Sequence, residues 1–177
     1  MSTYVALLRG INVGGNNKVE MPKLKKVFES LGFSDVSTYI NTGNVIFSTD
    51  VSDTREIEQQ IEKALKKTFG FEIKIVIRTA KNIKKICKTI PQEWTNDTEQ
   101  RTDVLFLWEA YDSEKSIDLI TTTEVDTVTY VDGAIVWNVS RDDYKKSGMQ
   151  KFIGTKIYKH MTARNINTVR KLEELLD

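Results

Sequence analysis

The chain repeats one pattern of strands around a turn, and this repetition restricts its possible folds more than any other feature. Residues 38–47 read Thr-Tyr-Ile-Asn-Thr-Gly-Asn-Val-Ile-Phe, and residues 129–137 read Thr-Tyr-Val-Asp-Gly-Ala-Ile-Val-Trp. Both stretches run from Thr-Tyr-aliphatic through a glycine-containing turn to two aliphatic residues and an aromatic one, which is typical of a β-hairpin. The shared pattern predicts an internal duplication.

The first half of the chain places this hairpin between two strand–helix pairs. The apolar run at 4–8 predicts a buried strand, and apolar residues at helical spacing over 24–31 predict a helix. After the hairpin, a capping-box pattern at Asp53 opens a second helical pattern, and alternating isoleucines over 73–77 predict a strand. The resulting order, βαββαβ, is that of the ferredoxin-like unit.

The second half repeats this order, with strands and helices predicted at 104–108, 117–120, 129–137, 149–157 and 161–164, before a closing helix at 169–176. We therefore predict an α+β fold of two ferredoxin-like subdomains, with antiparallel sheets and helices packed on one face of each. The expected domains are 1–78 and 102–177, joined by a connecting helix and polar linker over 79–101. The alternative is a single larger α+β sheet in which two hairpins are merely alike.

Composition excludes several classes of protein. No apolar run approaches the roughly 20 residues that a membrane-spanning helix needs, and the N-terminus lacks the pattern of a signal peptide. With Cys87 as the only cysteine, no internal disulfide can form, and a cytoplasmic location is expected. His160 is also alone, so we expect no metal site, and Cys87 is expected to pack in the core.

Charge is distributed unevenly along the chain. Residues 91–132 contain eleven acidic and two basic side chains, whereas residues 141–171 contain nine basic and two acidic ones. The two blocks could neutralise each other across the fold, or the basic segment could meet a polyanion. The second interpretation makes a nucleic-acid or protein-binding module the alternative function, although the aromatic RNA-binding consensus is absent.

The loop at 9–18 is the main candidate for a binding site. It is a polar, glycine-bearing loop between a strand and a helix, which is how backbone amides are gathered around an anion. In a ferredoxin-like sheet the first two strands run the same way, so this loop and the hairpin turn at 41–44 share one edge. The predicted ligand is a small anion carrying phosphate or carboxylate. The candidate ligand-binding residues are Arg9, Asn12, Gly14, Gly15, Asn41, Asn44 and Arg164.

A purely structural role for these residues is the competing interpretation. Glycine and asparagine also serve tight turns, and the glycine spacing matches neither the dinucleotide-binding nor the Walker pattern. Ser147 lies four residues before Lys151, as in a serine–lysine nucleophile pair, but Ser147 to Gln150 fits a helix-capping box better. No cofactor, reaction or oligomeric state follows from the sequence.

Several motifs resemble one known family. Residues 4–15, 38–40 and 43–47, together with the tail at 162–172 and the Lys-Ser pair at 146–147, strongly resemble the bacterial family called domain of unknown function 1697. The resemblance implies two ferredoxin-like subdomains but no established activity. Ile166 stands where the family usually has tryptophan, and Lys146 where arginine is common. The matching signature positions are Arg9, Gly10, Asn12, Gly14, Gly15, Gly43, Asn44, Ser147, Arg164 and Asn165.

Overall fold

Each half of the chain folds around its own four-stranded antiparallel sheet. A computed structural model describes the whole chain, from Met1 to Asp177. Its contacts divide the chain into two compact units, Met1–Ala80 and Lys81–Leu175. The predicted α+β fold with two ferredoxin-like units is confirmed, and the alternative of one larger sheet is wrong.

The elements of the first unit are β1 (Ser2–Leu8), α1 (Met21–Ser30), β2 (Ser34–Tyr39), β3 (Asn44–Thr49), α2 (Thr54–Phe69) and β4 (Ile75–Thr79). The strand order is β2-β3-β1-β4, with β1 and β2 parallel in direction and β3 and β4 opposed to them. Both helices pack on one face of this sheet, over a core that includes Leu8, Phe28 and Phe47.

The longer helix of this unit, α2, has clear signals at both ends. The Asp53 carboxylate accepts hydrogen bonds from the backbone N–H groups of Arg55 (2.9 Å) and Glu56, which caps the N-terminus. At the other end Gly70 adopts the left-handed conformation, with φ 82°, and stops the helix. The apolar stripe of Ile57, Ile61 and Leu65 is fully buried, because these positions recur on one helix face.

The regular elements of the second unit are α3 (Ala80–Thr89), β5 (Gln100–Leu107), β6 (Thr127–Val131), β7 (Ala134–Ser140), β8 (Met161–Asn165) and α4 (Ile166–Leu175). The unit repeats the topology of the first, with strand order β6-β7-β5-β8. It begins with α3, the connecting helix, and ends with α4, which follows β8 directly.

The two sheets share their register as well as their strand order. In the first unit, Leu8 N–H at the end of β1 donates to Gly43 O in the hairpin turn, at 2.9 Å. In the second unit, Leu107 N–H at the end of β5 donates to Gly133 O, at 3.0 Å. Both turn glycines are left-handed, with φ 90° at Gly43 and 93° at Gly133. The equivalent bond and conformation support the predicted duplication.

The second unit departs from the prediction in what covers its sheet. Where helices were expected near 117–120 and 149–157, the chain forms short 3-10 segments, namely Glu109–Tyr111, Glu114–Leu119, Tyr144–Lys146, Gly148–Gly154 and Lys156–His160. The backbone just after the first expected helix approaches the backbone just before the second one at Gly148. An added Cβ atom there would lie 1.7 Å from Thr121 O. Gly148 and Gly154 also weaken any α-helix that would include them.

We predict that Gly43→Ala destabilises the first unit much more than Gly70→Ala does. Both glycines are left-handed, so either substitution strains the backbone by about 1–2 kcal/mol. Only at Gly43 would the new Cβ meet other atoms, since Ile11 Cδ1 and Leu8 Cβ would lie 2.8 Å away. We expect a loss in the free energy of unfolding of about 3 kcal/mol for Gly43→Ala, measured by urea denaturation. Equal losses in the two variants would contradict the close approach.

Candidate functional site

The loop after β1 is a tightly specified structure rather than a loose connection. Five of its residues have positive φ: Gly10, Asn12, Gly14, Gly15 and Asn17. Asn12 N–H donates to Asn17 O (3.0 Å), and inside this turn Asn16 N–H donates to Val13 O (2.9 Å). Gly14 and Gly15 are both left-handed at the centre of the inner turn, a conformation that glycine tolerates best.

The side chain of Asn12 fastens this loop to its surroundings. Its Nδ2 donates to Val19 O (2.9 Å) and to Asn41 O (2.8 Å), while its Oδ1 accepts from Val19 N–H (2.8 Å). The loop and the turn between β2 and β3 therefore lie together at one edge of the sheet. All three hydrogen bonds are made to backbone groups, so the amide of Asn12 holds the site's shape.

Asn44 and Arg9 lie near this edge in different surroundings. Asn44 is fully buried, and its Nδ2 donates to Tyr39 O (2.9 Å) and Thr42 Oγ1 (3.0 Å), which fixes the turn. Arg9 is half-buried, and its backbone N–H donates to Lys74 O at 2.9 Å. Neither residue lines the cleft described next.

A cleft of about 600 Å³ lies between this loop and the beginning of α1. Two segments with unbonded backbone N–H groups adjoin it: the start of α1, which no side chain caps and whose first turn has no acidic residue, and Gly15, whose N–H donates to no acceptor in the protein. Gly14, the other candidate glycine of this turn, does not line the cleft. Its floor is apolar and includes Val19, while Lys18 and Glu20 bring opposite charges. The lining residues are Asn12, Gly15, Lys18, Val19, Glu20, Met21, Pro22 and Asn41.

The sequence identified only part of this lining. Asn12, Gly15 and Asn41 were candidate residues, whereas Lys18, Glu20 and the helix start at Met21 were not. The sequence does contain a pattern that predicts them: proline is common in the first turn of a helix, so Met21-Pro22 predicts a helix start, with Lys18 three residues before it.

Arg164 lies in the second unit, on β8, and is buried with a 7% exposed surface. Its Nη1 donates to Thr162 Oγ1 (2.9 Å) and Ala163 O (2.8 Å), and burial lowers its pKa to about 10. Arg78 occupies the same register position in the first sheet, where its Nη1 donates to Ile77 O at 2.9 Å. The duplicated position indicates that this arginine belongs to the architecture of the unit.

Ser147 is the N-cap of a 3-10 segment, as the capping interpretation required, and its Oγ accepts from Met149 N–H at 3.1 Å. The same hydroxyl donates to Asp126, at 2.5 Å, and does not bond Lys151. Gln150 donates instead to Tyr144 O, so the reciprocal half of the capping box is missing. The serine is thus engaged in structure rather than in a serine–lysine pair.

Asp126 is the centre of a hydrogen-bond network. It accepts from Ser147 Oγ, Trp137 Nε1 (2.9 Å), Gly148 N–H (2.8 Å) and Thr123 N–H (2.9 Å). Burial, the largest single influence, acts to raise the pKa of this carboxyl, but the four hydrogen bonds together hold the pKa below its usual value. The network ties the 3-10 segments to β7.

Cys87, the only cysteine of the chain, is half-buried. Burial, reinforced by Glu173, raises the pKa of the Cys87 thiol to about 12, so it is protonated at neutral pH. No group of three His, Cys, Asp or Glu side chains is arranged to hold a metal ion. No helix combines the length and the apolar character that crossing a bilayer requires.

Comparison with known proteins identifies the family of this chain. The model of the family described as protein of unknown function, DUF1697, matches residues 1–137, more than half of the chain. The chain belongs to this family. No functionally curated protein shows significant sequence similarity to it.

Among solved structures, a conserved bacterial protein from Streptococcus pneumoniae shares the fold over 99% of both chains, with 25% identity and a TM-score of 0.85. The small subunit of acetolactate synthase from Thermotoga maritima aligns over 93% of this chain and 97% of its own, with 18% identity. Its TM-score of 0.25 is too low to support any argument about this protein.

We predict that Asp126→Asn lowers the free energy of unfolding by about 3 kcal/mol at neutral pH, because the amide presents hydrogens to donors that now bond a carboxylate. The pKa of Asp126 in the folded state lies below its value of about 3.9 in the unfolded state. The ionised carboxylate therefore contributes fully to the free energy of unfolding above that pH, and this contribution is lost as the pH falls through the folded-state pKa.

The difference between wild type and Asp126→Asn should therefore shrink as the pH is lowered below about 4 in urea denaturation experiments. The exposed Asp118→Asn provides the matched control, since it makes the same change of charge in the same unit. A difference between wild type and Asp126→Asn that is independent of pH would rule out the ionised carboxylate as the cause.

Proposed function

We propose that the cleft between the β1–α1 loop and the start of α1 binds a small ligand with a phosphate or carboxylate group. The observation that carries this proposal is that one cleft is lined both by Gly15, whose N–H is unbonded, and by the uncapped start of α1. Such donors attract an anion, and the positive end of the helix dipole adds to the attraction.

The other lining groups refine the nature of this ligand. Lys18 is exposed at the cleft and can pair with the anion, as an ammonium at a phosphate site does. Val19, Met21 and Pro22 give the cleft an apolar floor, which suits a ligand with a carbon body beside its charged group. The carboxylate of Glu20 opposes anions, and it therefore sets the expected affinity low.

The roles of the candidate residues differ within this proposal. Gly15 supplies an amide at the cleft and Gly14 supplies the left-handed turn beside it, while Asn12 and Asn41 hold the loop against the hairpin so that this amide stays in place. Arg9 acts from the same edge of the sheet through the charge of its guanidinium. The cleft contains no evident nucleophile or general base, so the proposed activity is binding.

We predict that Lys18→Ala weakens binding of inorganic phosphate about two- to fivefold, because an exposed ion pair contributes roughly 0.2–1 kcal/mol. Glu20→Gln should strengthen it by a similar factor, since a repelling charge is removed. Phosphate titrations followed by two-dimensional amide NMR should shift the resonances of Gly14, Gly15 and Met21 first. The matched control is the exposed Lys88→Ala in the other unit, which changes the same charge and should have no effect.

A thermal-shift screen of small metabolites provides a second test of binding at this cleft. A metabolite present at 100 times its dissociation constant should stabilise the wild type by about 2.7 kcal/mol in a thermal-shift assay. If neither phosphate nor any phosphorylated or carboxylated metabolite moved these amides or the melting temperature, anion binding at this cleft would be wrong.

A second candidate function is nucleic-acid or protein binding by the basic C-terminal segment. The observation in its favour is that five lysines are all exposed: Lys145, Lys146, Lys151, Lys156 and Lys159. The arginines of the segment differ, since Arg141 donates to Asn96, Asp97 and Gln100, and Arg170 donates to Pro91 O. Only the lysines are thus presented to a polyanion.

If this segment binds single-stranded nucleic acid, five contacting lysines predict a slope of about −3.5 for log K against log salt concentration. Fluorescence anisotropy with a generic labelled oligonucleotide between low and moderate salt measures this slope. Replacing Lys145, Lys146 and Lys151 together by alanine should bring the slope to about −1.4. Absence of binding at low salt, or a slope unchanged by the three substitutions, would eliminate this function.

A further inference from the structure

The second unit contains a cavity that the cleft at α1 does not explain. It has a volume of about 250 Å³ and lies between the face of the second sheet and the 3-10 segments that cover it. An apolar cavity of about 150 Å³ already holds benzene, so this one has room for one or two fused rings. It exists because irregular segments cover this sheet where a regular helix, α2, covers the first one.

Four of the eleven residues that line this cavity are aromatic, namely Trp137, Tyr144, Phe152 and Tyr158. Trp137 and Phe152 meet edge to face, with ring centroids 5.7 Å apart, and Phe152 meets Tyr158 in the same way at 5.6 Å. Met149 and Met161 add polarisable sulfur atoms to the lining. Aromatic and thioether surfaces are what a flat ring stacks against in an apolar pocket.

One polar pair interrupts this apolar lining. Arg101 Nε donates to Asp103 Oδ2 (2.9 Å), and its Nη1 donates to Tyr144 Oη (2.6 Å). The guanidinium also lies over the Tyr144 ring, 4.9 Å from its centroid, which holds it in place. Only 16% of the Asp103 side chain is exposed, so the cavity presents a fixed acceptor beside fixed donors. That pairing matches the edge of a nucleobase.

An exposed apolar residue lines this cavity, and two exposed lysines are sequence neighbours of its wall residues. Ile153 is 72% exposed although it is large and apolar, and it is one of the lining residues. Of the two exposed lysines, Lys151 is next to Phe152, and Lys145 is next to Tyr144. A ligand whose ring fills the cavity would leave an attached phosphate near these lysines.

We propose that this cavity binds a mononucleotide whose base carries an exocyclic amino group. The base stacks against the half-buried rings of Phe152 and Tyr158, with the buried Trp137 behind them, the amino group donates to Asp103, and the phosphate lies toward the exposed lysines. Asp103 favours adenine or cytosine over hypoxanthine or uracil, because the latter lack the amino donor. The proposal is independent of the anion cleft in the first unit.

The test is isothermal titration of the full chain with AMP, IMP, CMP and UMP, and with ribose 5-phosphate as the probe without a base. We expect the amino-bearing nucleotides to bind about tenfold more tightly than their partners, and ribose 5-phosphate to bind far more weakly. Asp103→Asn should remove the preference for the amino group without abolishing stacking.

Two further variants separate binding from folding. Ala163→Phe fills the cavity from an exposed strand position and should abolish binding, whereas Phe152→Ala removes a stacking wall and should weaken it about tenfold. Lys115→Ala, exposed in the same unit and outside the cavity, is the control, and far-ultraviolet circular dichroism confirms the fold of each variant.

Several results would overturn the proposal. These are nucleotide binding that survives Ala163→Phe, ribose 5-phosphate binding as tightly as AMP, or no binding by any of the four nucleotides at millimolar concentration. Binding of an oligonucleotide without binding of mononucleotides would also overturn it, and would assign the lysines to a nucleic-acid surface instead.

Discussion

The hydrogen bond from the end of the first strand of each unit to the hairpin turn is the constraint on which the rest of the structure depends. Leu8 N–H to Gly43 O, and its counterpart Leu107 N–H to Gly133 O, keep the tip of the hairpin at the end of the central strand. In the first unit this brings the glycine-rich loop beside the turn, where Asn12 can reach Asn41. Residues of both segments line the cleft at the start of α1.

The sequence predicted the elements whose signals are local. The order of strands followed from hydrophobic periodicity, and α2 followed from its Asp53 cap and Gly70 stop, because these signals act within a few residues of the element they define. Individual bounds moved by a few residues, as for the strand expected at 73–77, which spans Ile75–Thr79. Topology then followed from the few arrangements that a βαββαβ order permits.

What could not be predicted depended on contacts between distant residues. The apolar spacing from Met149 to Ile157 fits a helix, but the contact of Gly148 with Thr121 and the bonds to Asp126 hold that stretch in 3-10 form. The same limit applies to the site. A sequence cannot show whether an asparagine amide meets a ligand or a backbone group, and for Asn12 and Asn44 the partners lie in the protein itself.

The irregular cover of the second sheet has an evolutionary consequence. Because strand order and register are alike in both units, the sheet does not depend on one particular kind of cover for its geometry. Descendants of a single ancestral half could therefore drift on that side while keeping their strands unchanged. In the present chain regular helices cover the first sheet and 3-10 segments over a cavity cover the second, while both sheets keep the same strand pairing.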